Sequence, residues 1–139
     1  MASKQHDFIV SAIGRKIRQD GFKIIYLDGG YQDLDTKKFD IPSKIINHKP
    51  DIIGERGGIF VCIGEAKTRN DIFSRRTKNQ FSDYFSIVRI FSENKLIIGI
   101  PLKAKHDLEK LLLEIGLANK KQIEIIYIPE ELLPYEEEI

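Results

Sequence analysis

Apolar and polar positions follow one another along the chain with the periods of helices and strands. Between residues 5 and 19 the apolar positions recur at helical spacing, and Gly21 lies just beyond them as a stop signal. Residues 22–27 form a short β run that closes at a turn signal, Asp28-Gly29-Gly30. This pattern predicts a first helix that is followed directly by a first strand.

Residues 50–67 carry two apolar runs on either side of Gly57-Gly58. Because glycine tolerates the positive φ of a tight turn, this pattern predicts a β-hairpin. The second run, residues 59–63, is too continuously apolar for a sheet edge, so we expect a strand that is covered on both faces. Side chains alternate across a strand, which places Glu65 and Lys67 on one face and Ala66 on the other.

A helix is predicted after the hairpin, beginning near Asn70 or Asp71 and running to about residue 91. Either of these two polar residues could cap it. Its predicted apolar face comprises Ile72, Phe73, Phe81, Tyr84, Phe85, Val88 and Phe91.

The rest of the chain divides into three regular segments and one irregular segment. Residues 95–100 are predicted as a strand, residues 102–116 as a helix and residues 122–128 as a last strand. Residues 31–49 are long for a structureless connection, so they are either functional or contain a short helix around residues 43–47. The predicted order is helix, strand, long loop, hairpin, helix, strand, helix, strand.

The 139 residues carry a net charge of only +1, so no global basic field attracts nucleic acid. Any nucleic-acid surface must come from local clustering. Cys62 is the single cysteine, which excludes an intrachain disulfide, and there is no zinc-binding spacing of Cys and His. No apolar run reaches the length of a membrane span and no signal peptide is visible, so we expect a cytoplasmic, intracellular protein without a membrane partner.

Three charged residues lie at the ends of the apolar hairpin: Asp51 where its first strand starts, and Glu65 and Lys67 where its second strand ends. Charges leave water only when they are paired or bound to a metal. Two carboxylates suit a hard cation such as Mg²⁺, and a neighbouring lysine could orient or deprotonate a water or neutralise a phosphate. These groups suit hydrolysis of a phosphodiester; the alternative is a structural ion pair at a strand end.

Pro50-Asp51 and Glu65-Ala66-Lys67 resemble the two motifs of the PD-(D/E)XK nuclease superfamily. The resemblance covers roughly the first 100 residues. It implies an α/β chain with a restriction-endonuclease-like αβββαβ core, in which helices flank a mixed central sheet. The whole chain, residues 1–139, would be a single domain, with the family core over about residues 5–101 and a C-terminal helix and strand over residues 102–139.

The resemblance also implies a divalent-metal-dependent nuclease, a DNA endonuclease rather than an exonuclease. Asp51, Glu65 and the carbonyl of Ala66 would hold Mg²⁺, with Mn²⁺ able to substitute, and Lys67 would hold the attacking water or the phosphate. Members of the superfamily usually carry a further acidic ligand in the first helix. No Glu precedes Glu55, so only Asp7 or Asp20 could serve, and Asp7 could equally cap the helix. We expect His6 on the surface rather than as a base.

The basic residues at the start of the predicted second helix, and a lysine at the end of the irregular segment before the hairpin, are candidates for contact with a phosphate backbone; the alternative is a solvated surface. They are Lys49, Arg69, Arg75, Arg76 and Lys78. Gln80 and Tyr84 lie one helical turn apart. The resemblance implies that both line the site, with Gln80 in a catalytic role, although Tyr84 could equally be a packing residue.

Two other kinds of function stay open from the sequence. The protein could be a non-catalytic nucleic-acid-binding or assembly subunit on the same scaffold, or a nuclease acting on RNA or on nucleic-acid ends. Because one site cleaves one strand at a time, cutting of both strands would require a homodimer or a larger nuclease complex.

Overall fold

The computed structural model describes residues 3–29 and 44–135 of the chain, and these ranges contain three α-helices and five β-strands. The helices are α1 (Lys4–Gln19), α2 (Arg75–Val88) and α3 (Lys105–Glu114). The strands are β1 (Lys23–Leu27), β2 (Ile52–Arg56), β3 (Phe60–Ala66), β4 (Lys95–Pro101) and β5 (Ile123–Ile128). None of these helices is long and apolar enough to span a membrane. The predicted order of helices and strands is confirmed.

One mixed sheet with the strand order β1-β2-β3-β4-β5 forms the centre of the fold. β2 pairs antiparallel with β1 and with β3, whereas β4 pairs parallel with β3 and with β5. The β2–β3 hairpin turns at Gly57 and Gly58, whose φ angles are 63° and 73°. The predicted hairpin and the predicted α/β class, a mixed central sheet flanked by helices, are therefore confirmed.

Helix α1 packs closely on one face of the sheet because glycines leave room for its isoleucines. A Cβ atom at Gly64 would lie 2.6 Å from a methyl carbon of Ile13. A Cβ atom at Gly99 would lie 2.5 Å from a methyl carbon of Ile9. Packed carbon atoms do not approach so closely, so any larger residue would displace the helix. This packing fixes the rotation of α1 and the position of its first turn.

Helices α2 and α3 contribute to a second core, which includes the other face of the sheet. β3 is buried from Cys62 to Ala66, with Cys62 in the core on the α1 side and Ile63 in the core beside α2. The expectation that residues 59–63 are covered on both faces is confirmed only for Cys62 and Ile63, because Ile59 precedes the strand and is 61% exposed and Phe60 and Val61 are half-buried. The charged end of β3 is therefore buried, with Glu65 3% and Lys67 8% exposed.

Helix α2 begins later than predicted and has a different cap. The Ser74 side chain accepts the backbone N–H of Thr77 at 3.1 Å. Asn70 and Asp71, the predicted caps, lie instead in a 3₁₀ turn that precedes the helix. The Thr68 hydroxyl donates to the Asp71 carboxylate at 2.8 Å and closes that turn locally.

Two residues predicted on the apolar face of this helix are exposed. Phe73 precedes α2 and is 68% exposed, and Phe91 follows it and is 43% exposed. Phe91 retains one aromatic contact, with Phe60, in which the two ring centroids lie 5.7 Å apart in a T-shaped arrangement. The prediction was wrong because it extended the helical period beyond both true ends of the helix.

The short helix predicted around residues 43–47 is absent from residues 44–47, its described part. Ile45 and His48 pair through a β-bridge, and Ile46 has a φ of 57°, which a right-handed helix excludes. Asp83 of α2 holds this turn through a hydrogen bond of 2.7 Å to Nδ1 of His48. The remainder of the loop, residues 31–43, lies outside the described residues.

Candidate active site

The register of β2 and β3 brings two carboxylates together at one end of the hairpin. Ile52 pairs with Gly64, so Asp51 and Glu65 follow on neighbouring strands. The backbone N–H of Asp51 donates to Oε1 of Glu65 at 3.2 Å. The backbone N–H of Ala66 donates to Oδ2 of Asp51 at 2.8 Å. Each carboxylate is thus held by the backbone of the opposite strand.

Lys67 completes the cluster from the strand that carries Glu65. Its Nζ lies 3.4 Å from Oε2 of Glu65, and it donates a hydrogen bond to Oε1 of Gln80 on α2. Glu65, Lys67 and Gln80 are all buried, and the Lys67 residue is only 8% exposed. The alternation predicted for the end of β3 therefore places the carboxylate and the ammonium on the same side, facing α2.

Burial dominates the electrostatics of Glu65. Loss of hydration raises the pKa of its carboxyl well above the usual 4.5, and the charge of Asp51 raises it further. Lys67 acts in the opposite direction through its charge and its hydrogen bond, but it does not cancel these effects. Two carboxylates share one lysine here, so the cluster favours an additional positive charge.

The cluster opens into a cleft of about 350 Å³. Its wall contains the predicted catalytic and metal-binding residues Asp51, Glu65, Ala66, Lys67 and Gln80. Lys49 and Arg76, two of the predicted nucleic-acid contacts, also lie in the wall. A cavity of about 420 Å³ between α3 and β5 is larger, but none of the predicted site residues lines it.

Three of the predicted phosphate contacts do not line this cleft. Arg69 and Arg75 are exposed and lie outside its wall. Lys78 points towards α3, where its Nζ forms an ion pair with Glu114 at 2.7 Å. The basic residues around the start of α2 therefore separate into different surfaces, and Arg76 is the one directed to the cleft.

Tyr84 is fully buried beneath the site rather than in the wall of the cleft. Its hydroxyl has no hydrogen-bond partner among the residues that the structure describes. Burial raises the pKa of Tyr84, and the charges of Glu65 and Asp51 raise it further. The structure thus places this side chain near the carboxylates as a packing residue.

The residue of α1 that reaches the carboxylates is His6. Its Nε2 lies 3.2 Å from Oδ2 of Asp51, and the ring lies in the wall of the cleft. Burial lowers the pKa of His6, but the hydrogen bond to Asp51 and the charge of Asp51 outweigh burial and raise it above 6.5. The expectation of a surface role for His6 was wrong.

The two acidic candidates of the first helix lie elsewhere. Asp7 does not line the cleft, and its Oδ1 lies 4.0 Å from Nδ1 of His6. Asp20 follows the other end of α1, where it pairs with Lys16 and Lys95 at 3.0 and 2.8 Å. The signal for His6 was present in the sequence, since it precedes the buried Ile9 by three residues and Ile13 by seven.

The donors present fit a hard cation with few protein ligands. No group of three or more His, Cys, Asp and Glu side chains within residues 3–29 and 44–135 could hold a metal. Mg²⁺ needs fewer, since it keeps several waters and uses one or two carboxylates with substrate phosphate. The Ala66 N–H points to Asp51, and in an extended strand the carbonyl of the same residue points to the same side. Asp51, Glu65 and that carbonyl would supply three oxygens.

Comparison of the chain with protein-family models, with curated proteins and with solved structures gives no match. Around one cleft the fold brings together two hydrogen-bonded carboxylates, Asp51 and Glu65, with the amine of Lys67, the amide of Gln80 and the imidazole of His6. The wall also carries Asp28, Lys49, Asp71 and Arg76. These groups determine which chemistry the cleft can support.

Proposed function

We propose that the protein is a divalent-metal-dependent nuclease with a restriction-endonuclease-like fold, acting on DNA as an endonuclease. The observation that carries this proposal is the meeting of Asp51, Glu65 and Lys67 in one cleft at the adjoining ends of β2 and β3. The order of elements around the cleft, αβββαβ followed by α3 and β5, supports the same fold.

Asp51 and Glu65 hold Mg²⁺, for which Mn²⁺ substitutes, and the carbonyl of Ala66 contributes a third oxygen. When bound, such an ion lowers the pKa of a water ligand and offsets negative charge on the phosphate. Burial and the charge of Asp51 raise the pKa of Glu65, and a divalent cation between the two carboxylates would favour its ionised form.

Lys67 acts on the water or on the phosphate oxygen. Its ammonium group has three donors. One is used by Gln80 and a second faces Glu65 at 3.4 Å, so the third is available to the cleft. Gln80 thus fixes the lysine in position, which reduces the conformational entropy that would be lost during the reaction.

The start of α2 and the basic residues of the wall bind the phosphate backbone. Ser74, Arg76 and Thr77 of the cleft wall belong to the cap and first turn of this helix. The first turn of a helix attracts anions through its free N–H groups and its dipole. Lys49 adds a positive charge from the loop. Such contacts are independent of base sequence, and cutting of both strands would use a homodimer or a larger nuclease complex.

Cleavage assays test this proposal directly. Supercoiled, linear, branched and single-stranded DNA would be incubated with the protein in Mg²⁺, in Mn²⁺ and in chelator. Asp51→Asn, Glu65→Gln and Lys67→Met should each lose cleavage while keeping the circular-dichroism spectrum of the wild type. Lys121→Met is a matched control, because Lys121 is exposed and lies near the start of β5, away from the carboxylates.

The outcomes separate the proposal from its alternatives. Metal-dependent cleavage that disappears in all three variants and persists in Lys121→Met is the expected result. Cleavage in chelator, or full activity of any of the three variants, would contradict the mechanism. Cleavage of RNA alone under the same conditions would keep the chemistry and change the substrate. Absence of both cleavage of any nucleic acid and binding of the metal would favour a non-catalytic subunit, which has no need of a metal site.

A further inference from the structure

His6 is held in the first turn of α1 so that its ring faces Asp51. Ser3 caps the helix by accepting the backbone N–H of His6 at 3.0 Å. The packing of Ile9 and Ile13 against the glycines of the sheet fixes the rotation of the helix. The side chain of His6 is 19% exposed, and its Nε2 lies 3.2 Å from Oδ2 of Asp51.

The direction of this hydrogen bond follows from the chemistry of the two groups. An ionised carboxylate can only accept, so the proton must lie on Nε2 of His6. The other ring nitrogen, Nδ1, is buried without a hydrogen-bond partner in the part of the chain that the structure describes. The hydrogen bond to Asp51 is therefore the polar contact that orients the ring.

The hydrogen bonds of Asp51 distinguish its two carboxylate oxygens. Oδ2 accepts from two elements, the Ala66 N–H of β3 at 2.8 Å and Nε2 of His6 on α1 at 3.2 Å. Oδ1 accepts no hydrogen bond from the described residues. Two donors on one oxygen oppose rotation of the carboxylate and leave the other oxygen of this cleft-lining residue to bind a ligand.

We propose that His6 is a positioning residue, which donates a hydrogen bond to Oδ2 of Asp51 and so presents Oδ1 to the divalent metal. This inference rests on the proposed function, since it concerns the same metal site. Helix α1 then contributes a donor to a metal ligand rather than a ligand of its own. Outer hydrogen bonds of this kind typically change metal affinity or activity by about 10- to 100-fold.

Calorimetric titration with Mn²⁺ tests this role without any nuclease assay. His6→Leu removes the donor and should weaken Mn²⁺ binding by about 10- to 100-fold. His6→Gln places an amide N–H at about the same distance from the backbone as Nε2 of His6. Its affinity for Mn²⁺ should therefore be close to that of the wild type. His106→Leu is the matched control, because His106 is an exposed histidine of α3, and should bind as wild type. If the leucine variant does not fold, His6→Asn, whose amide is one bond shorter, should show the weakening.

Each result bears on a different part of the proposal. Wild-type Mn²⁺ binding that is lost in Asp51→Asn but unchanged in His6→Leu would overturn the positioning role and leave the metal site intact. Equal weakening in His6→Gln and His6→Leu would also overturn it, because a donated N–H would then be insufficient. No Mn²⁺ binding by the wild type would overturn the metal site and the role of His6 together.

Discussion

Two clusters of charged side chains lie at opposite ends of α1, and they differ in charge balance and in burial. The cluster at the C-terminal end of α1, which we call the basal tetrad, comprises Lys16, Asp20, Lys95 and Glu124. Its two lysines contact its two carboxylates at 2.8 to 3.4 Å, and its side chains are 15 to 33% exposed. The second cluster, which we call the cleft cluster, comprises Asp51, Glu65 and Lys67. It has two carboxylates for one lysine, and the side chains of Glu65 and Lys67 are only 4 and 9% exposed.

The pKa values of Asp20 and Glu65, one carboxyl from each cluster, shift in opposite directions. Burial raises the pKa of Asp20, but hydrogen bonds from Lys95 and Lys16 outweigh it and lower the value below 3.8. Burial also raises the pKa of Glu65, and there the single lysine does not compensate. A balanced cluster stabilises its own charges, whereas an unbalanced buried cluster retains affinity for a cation. We infer that the tetrad is structural and that the cleft is built for a ligand.

The largest expected effect is a loss of DNA cleavage on removal of Lys67 from the cleft, but not on removal of Lys95 from the tetrad. Lys67→Met should lower DNA cleavage by about 100- to 1,000-fold, since removal of one positioned donor costs about that much. Lys95→Met, the matched change in the tetrad, should leave the rate per folded molecule unchanged. Initial rates on supercoiled DNA, normalised to the folded fraction, measure both. Equal losses in the two variants would contradict the functional difference between the clusters.

The second effect is stabilisation by metal. A ligand that binds only the folded state at 100 times its dissociation constant stabilises by about 2.7 kcal/mol. We therefore expect Mn²⁺ to raise the melting temperature of the wild type, and chelator to reverse the increase. Asp51→Asn should lose this response and Glu124→Gln should keep it. A response retained in Asp51→Asn would place the metal outside the cleft.

The third effect is the pH dependence of metal-free stability. The folded pKa of Glu65 lies above its unfolded value of about 4.5, so the folded state retains a proton that the unfolded state releases. Stability is therefore lost as the pH rises through the folded pKa. Glu65→Gln leaves Asp51 with one lysine, and at alkaline pH it should be more stable than the wild type, because the buried charge of Glu65 is removed. Urea unfolding in chelator across pH checks this, and an unchanged pH slope in Glu65→Gln would contradict it.

The sequence predicted the carboxylates and lysine of the cleft because their placement depends on local rules. Strand alternation puts Glu65 and Lys67 on one face, and a two-glycine turn brings Asp51 back beside them. Whether His6 or Asp7 reaches the site depends instead on how α1 is rotated on the sheet. The spacing of His6 from Ile9 and Ile13 shows only that His6 shares their face of the helix. That this face meets the carboxylates is set by contacts between isoleucines and glycines distant in sequence.

The same distinction explains the results for the basic residues. Helical periodicity identifies which side chains are neighbours on α2, but it does not identify the residues of other elements that each side chain contacts. Lys78 turns to Glu114 of α3, while Arg76 faces the cleft. Tyr84 shares the face of Gln80 as predicted, yet it is fully buried because the second core extends beneath that face.

The smallest expected effect is on stability at the C-terminal end of α1, where replacing the Asp20 carboxylate should destabilise the protein, in contrast to the change at Glu65. Asp20 has a lowered folded pKa, so its contribution is present above the unfolded pKa of about 3.8 and is lost as the pH falls through the folded value. Asp20→Asn should destabilise the protein at neutral pH by about 0.2–1 kcal/mol, the usual range for partly exposed ion pairs. The loss should shrink in high salt, which screens such pairs.

Urea unfolding at two pH values measures this effect, with the exposed Glu131→Gln as the matched control. A loss that persists below the folded pKa of Asp20 would show that packing rather than charge is responsible. The same chemical change, carboxylate to amide, should therefore stabilise the metal-free protein at Glu65 and destabilise it at Asp20. That reversal follows only if the group of Asp51, Glu65 and Lys67 has an excess of negative charge and the tetrad does not.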